Sequence, residues 1–292
     1  MIGVFLLMLC CPKEVFNGAS EGLLLWFQIL FPTLFPFLLI TDLLMATGGI
    51  RMISKVLSVP FGILFRVSGE GSFAVVAGFL CGYPMGAKIT ADLIRNQSIS
   101  VEEGTYLLSF CNNTSPIFIM NFLVWKTLDR KELLLPSLVI LLGTPVVMSF
   151  PFRKIYKSGR KRGEGRNTLG SVESCMMDSF ETIVKVGGYL IIFSVLLELA
   201  EQTGQKNIAA TLLLSTLEVT NGILMIAKRF PEISTAYPLL IGLTSMGGIC
   251  SMAQTQSMIR GTGLKLSDYI IQKLATAMAA SGFAILYAKF NF

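Results

Sequence analysis

Four short stretches of this 292-residue chain carry polar groups where their neighbours are apolar. The first is Cys81-Gly82-Tyr83-Pro84-Met85-Gly86-Ala87-Lys88, with Asp92 following Lys88 at the i,i+4 spacing that places a cation and a carboxylate on one helix face. The second is Cys111-Asn112-Asn113-Thr114-Ser115-Pro116, four consecutive polar residues midway through the apolar run Tyr106–Trp125. The third is Glu218-Val219-Thr220-Asn221-Gly222, an acid, a hydroxyl and an amide inside the apolar run Ile208–Ala227. The fourth is Ser245 to Ser257, where Gly247-Gly248 precede Ser251, Gln254, Thr255 and Gln256. Amides and hydroxyls both donate and accept hydrogen bonds, so these residues suit the orientation of a small polar solute or ion. Lys88, Asp92 and Glu218 would bias such a site electrostatically. In hydrocarbon an ionisable group is costly and marks a functional position unless it is paired or reaches the interface.

Nucleophilic or metal chemistry has little to work with. The chain contains no histidine, which removes the commonest general base and a frequent metal ligand. None of its six cysteines, Cys10, Cys11, Cys81, Cys111, Cys175 and Cys250, forms a CxxC pair. They read as small apolar groups. No enzyme activity, metal or cofactor is expected.

The elements that carry these stretches are membrane helices. Hydrophobic residues make up 53% of the chain and charged residues only 14%, with a mean hydropathy of +0.67. A soluble domain carries about 25% charged residues. The runs Leu23–Leu44, Leu133–Phe152, Ile183–Leu199, Ile208–Ala227 and Tyr269–Tyr287 approach or reach the roughly 20 residues that cross a bilayer. Met1–Cys11 reads as a short first membrane segment, and Arg51–Arg66 as a helix in the interface, too short and too charged to span. Phe31-Pro32 and Phe35-Pro36 should bend the first long segment, and Tyr237-Pro238 should open a helix.

The formal charge of +6 is concentrated. Arg153, Lys154, Lys157, Arg160, Lys161, Arg162 and Arg166 crowd the linker 153–170 between two apolar spans. A nucleic-acid surface would interleave basic residues with aromatics on a soluble domain. Here the cluster is a topology signal that places the linker in the cytoplasm and the chain in the cell membrane. It divides the chain into a first membrane repeat, 1–152, and a second, 171–292. Gly-rich stretches at 77–86 and 241–248, followed by similar turns and helices, match at an offset near 164. With the linker inside, the first helix of each half crosses in opposite directions. The fold class is therefore all-α and polytopic, with two inverted repeats, each with a re-entrant helical hairpin. The hairpin tips are expected near Tyr83 and near Gly247. Ser115 followed by Pro116 predicts a helix restarting inside the membrane, an N-cap with proline at N1.

On Gly82-Tyr83-Pro84-Met85-Gly86-Ala87-Lys88, Cys111 to Pro116, Glu218 to Gly222 and Ser251-Met252-Ala253-Gln254, the sequence resembles the nucleoside-recognition, or Gate, domain family. Within it the likeness is to the YlbJ-type sporulation integral membrane proteins. Met252 departs from the family pattern, which has a histidine there. The resemblance implies a core related to concentrative nucleoside transporters and a role in spore formation.

Together these readings assign the ligand-binding residues as Tyr83, Lys88, Asn112, Asn113, Thr114, Ser115, Glu218, Thr220, Asn221 and Gln254. The expected partners are a small polar solute or ion and the lipid bilayer, with no nucleic acid and with homo-oligomerisation left open. The competing reading is a non-transporting membrane scaffold that recruits sporulation partners through the basic linker.

Overall fold

The computed structural model describes residues 2–156, 171–202 and 207–292. Most of the basic linker, including Lys157, Arg160, Lys161, Arg162 and Arg166, lies outside the described residues, as do Thr203 and Gly204. All regular structure among the described residues is helical. Among the described residues six helices are long and apolar enough to cross a membrane, Pro12–Ala46, Val101–Leu128, Lys131–Ile155, Val172–Glu201, Ile233–Ile259 and Leu266–Asn291, and the pair Gly49–Leu64 and Gly69–Cys81, bent by 85°, is apolar enough together to count as a seventh, broken span or a re-entrant loop.

We number the helices α1 (Ile2–Cys10), α2 (Pro12–Ala46), α3 (Gly49–Leu64), α4 (Gly69–Cys81), α5 (Met85–Arg95), α6 (Val101–Cys111), α7 (116–128), α8 (Leu134–Tyr156), α9 (Val172–Gln202), α10 (Ile208–Ser215), α11 (Val219–Arg229), α12 (Ile233–Met246), α13 (Gly248–Ile259) and α14 (Leu266–Asn291). Helix α1 corrects one expectation. Nine residues rise only about 14 Å, too little to cross the hydrocarbon.

Proline shapes α2 as expected, through a particular device. Pro32 lacks the N–H that would bond the carbonyl four residues back. The preceding turn, Trp26–Leu30, widens to π geometry, with Phe31 N–H bonding the Trp26 carbonyl. The chain beyond Pro116 is likewise π-helical from Ile119 to Leu128. Pro238 does not open its helix. Helix α12 begins at Ile233, and the Pro238 carbonyl accepts from Ser281 Oγ of α14 at 3.0 Å.

Helix α3 carries an apolar face without protein cover. Met52, Val56, Val59 and Ile63 are exposed along one face, while Ile50 and Ser54 are buried. A helix with an uncovered apolar face beside Arg51 and Lys55 suits the bilayer interface.

Apart from α1 and α3, which occur only before the linker, each side carries in turn a long helix, two short packed helices joined by a tight turn, a span broken at its middle, and a long helix. The two long first helices pack on one another, with the small residues Gly18 and Gly22 of α2 against Ile191–Val195 of α9. Trp26 Nε1 donates to the Ile183 carbonyl at 2.8 Å.

The expected register of the repeat is corrected here. Gly247–Gly248 is not the tip of a second hairpin. Ile233–Ile259 runs as one span, interrupted where Gly247 takes φ 81° and Gly248 φ 77°. Left-handed residues end α12 and let α13 start without the two helices packing back on each other. The second folded pair is α10–α11, turned at Thr216-Leu217-Glu218. The counterpart of Gly82-Tyr83-Pro84 in this order is thus the Glu218 turn. The counterpart of Asn112–Ser115 is Met246–Gly248.

Candidate functional site

In both halves the turn of the folded pair docks on the break of the following span. In the first half α4 ends at Gly82, whose φ of 83° lets the chain turn toward cis-Pro84. Helices α4 and α5 meet through Gly78 and Gly86, and a Cβ on either would run into the Cys111 carbonyl. The side chains at 78 and 86 are therefore absent so that the end of α6 can seat between the arms. In the second half the docking is backbone to backbone. Ile249 N–H bonds the Thr216 carbonyl at 2.7 Å and Cys250 N–H the Leu217 carbonyl at 2.9 Å. Interrupted backbone is thereby satisfied inside the protein, the condition for breaking a helix away from water.

The polar side chains close the joint. Ser115 Oγ accepts from Phe118 N–H at 3.3 Å and caps the restarted helix, as the Ser-Pro pair predicts. Glu218 caps α11 with both oxygens, from Thr220 N–H at 2.9 Å and Asn221 N–H at 2.8 Å. Its residue is 2% exposed, and no ion pair to it forms among the described residues. Thr114 Oγ1 donates to the Thr244 carbonyl at 2.8 Å and ties the first break to the second.

A cavity of about 340 Å³ opens where these parts converge. Its polar lining includes Tyr83, Thr114, Ser115, Glu218, Thr220 and Gln254, six of the ten predicted site residues. The volume lies within the range of pockets that hold small molecules. Apolar residues of α2, α7 and α9 complete the wall, among them Leu30, Phe37, Phe122 and Leu190. Gln28, Asn121 and Lys126 also line it; Gln28 and Asn121 each sit alone in an apolar run, and Lys126 opens the charged stretch 126–132, which reads as a loop at the end of a span.

The other four predicted residues lie elsewhere. Asn112 is fully buried and satisfied: it accepts from Ala87 N–H at 3.2 Å and donates to Thr255 Oγ1 at 3.0 Å and Tyr269 Oη at 2.9 Å. Asn113 donates to the Phe110 carbonyl and accepts from Lys273 Nζ. Both amides brace the break from behind. Asn221 contributes its backbone to the Glu218 cap but does not line the cavity.

Lys88, 8% exposed, belongs to an ion cluster. Its Nζ lies 2.7 Å from Asp42 Oδ1 and 2.7 Å from Asp92 Oδ2. Ser179 donates to Asp42 Oδ2 at 2.8 Å, and Arg95 reaches Asp92 Oδ1 at 2.8 Å and the Met258 carbonyl at 2.6 Å. The i,i+4 spacing announces half of this cluster. Asp42, on α2, was not legible as a partner.

Six candidate spans around a cavity built from interrupted helices define a multi-pass helical membrane protein. The chain is similar to the sporulation integral membrane protein YlbJ of Bacillus subtilis (strain 168), 26% identical over 320 aligned positions that cover 95% of this chain and 78% of the relative. No protein family matches the sequence and no solved structure matches it.

Proposed function

We propose that this protein is a membrane transporter-like protein of the Gate type acting in spore formation, and that its cavity holds a small polar solute. The observation that carries the reading is convergence. Two tight turns and two helix breaks, far apart in sequence, meet at one cavity lined by Glu218, Thr114 and Gln254. Packing alone would place small apolar residues there, as it does at Gly18 and Gly22. In this reading the folded pairs enter and leave the membrane on one side. The halves 1–152 and 171–292 are inverted about the membrane plane, and the basic linker faces the cytoplasm. The sporulation role rests on the likeness to YlbJ. The solute would be oriented by Thr114, Ser115, Thr220 and Gln254, with Glu218 selecting for donors or positive charge. Asn112, Asn113 and Lys88 are given positioning roles, because none of them lines the cavity and each bonds protein partners behind it.

A thermal-shift panel of nucleosides, amino acids and small organic acids on the full chain in detergent tests this. At least one class should raise the Tm, and the response should vanish in Thr114→Val and Gln254→Ala while both variants remain folded. A response that survives both substitutions refutes the site. If neutralising Arg160, Lys161 and Arg162 abolishes spore formation while Thr114→Val does not, the scaffold reading replaces this one.

A further inference from the structure

Lys273 is a buried amine with no carboxylate. It sits on α14, one turn beyond Tyr269, and is 2% exposed. Among the described residues no acid forms an ion pair with it. Its neighbours are oxygens of the two breaks. Nζ donates to Asn113 Oδ1 at 3.0 Å and lies 3.5 Å from the Ser245 carbonyl. The orientation of Asn113 is fixed, since its amide nitrogen bonds the Phe110 carbonyl, which only accepts. Both groups therefore present oxygen to the lysine.

The position explains the need. Helix α6 ends at Cys111 and α12 at Met246, so two carbonyl ends, each carrying the negative pole of its helix, approach one another within the protein. Oxygen ligands at two helix ends are a setting for a monovalent cation. The lysine supplies that charge through a flexible stem from a third helix.

We infer that the joint contains a monovalent-cation site filled by the chain's own Lys273 side chain in its protonated form, so that the two broken spans are held together without a mobile alkali cation. The inference goes beyond the solute reading and concerns the joint itself, naming the charge that stabilises it. Lys273 acts as a positioning residue: it holds Asn113 and Ser245, not the solute.

The test is thermal unfolding of the full chain in detergent, in chloride salts of sodium, potassium, N-methylglucamine and propylammonium at equal ionic strength. Wild type should give one Tm in all four. Lys273→Ala should lose several degrees and recover at least half of the loss in propylammonium, which replaces the missing atoms. Lys273→Met, which fills the space without charge, should lose stability and gain nothing from propylammonium. A Lys273→Ala Tm equal to wild type, a loss that propylammonium does not relieve, or a wild type stabilised by sodium over N-methylglucamine would each overturn the inference. Should Lys273→Ala not be purified, the wild-type salt series and Lys273→Met still decide it. No solute is added in any arm, so failure here leaves the solute-site reading standing, and failure of that reading leaves this one intact.

Discussion

The two folded pairs perform the same geometric task with different materials. Helix α5 is mostly buried and α4 about half so, packed through glycine against the Cys111 carbonyl and pinned by the Lys88–Asp42–Asp92–Arg95 cluster to α2, α9 and the end of α13. Helix α10 buries only Ser215, and its turn is held by backbone bonds and the Glu218 cap. A pair fixed by ions on three neighbours is a wall. The second pair is fixed along α11, which buries Val219, Ile223 and Ile226, and leaves α10 largely uncovered. The contrast predicts that, if the cavity opens as the proposed function requires, it opens at α10, beside the Glu218 turn.

The strongest way to break the contrast is at the ion cluster. Lys88→Met leaves Asp42 buried without an ion partner and Asp92 with Arg95 alone, and should cost about 3–5 kcal/mol in thermal unfolding. Adding Asp42→Asn should recover part of that loss. Next comes the glycine seat. Gly86→Ala should cost about 1–3 kcal/mol, because the atom its methyl meets is backbone, whereas Gly143→Ala, with nothing within 4 Å, should cost nearly nothing. Hydrogen exchange should then show α10 opening more readily than α5, by about 1.4 kcal/mol or tenfold in rate. The smallest effect belongs to the cap: Ser115→Ala should cost about 1 kcal/mol. Equal exchange in the two pairs would remove the distinction between wall and gate.

Much of the membrane character was legible, because apolar runs and the sparse charge set it. The Ser115-Pro116 restart was legible too, since capping is local chemistry. The second folded pair was not. Its turn at Thr216–Glu218 has neither glycine nor proline, and it is stabilised by backbone bonds to Ile249 and Cys250 that leave no side-chain signature. The conspicuous Gly247-Gly248 drew the hairpin to the wrong place, although left-handed glycines serve a straight interruption equally well. Asn112 and Asn113 were expected to bind the solute and lie at the break but not on the cavity; which face of a break an amide occupies depends on α14, whose Tyr269 and Lys273 claim them from behind. Lys273 itself sits in an unbroken helix, where a single cation reads as an interfacial residue.

The central claim is that the cavity between the two turns and the two breaks holds the solute. Cryo-electron microscopy of the full chain in lipid nanodiscs, with a solute that raises its Tm, tests it most directly. The account predicts density within hydrogen-bonding reach of Thr114, Glu218 and Gln254. Density at the Lys88–Asp42 cluster, or a cavity filled by lipid alone at saturating solute, would contradict it.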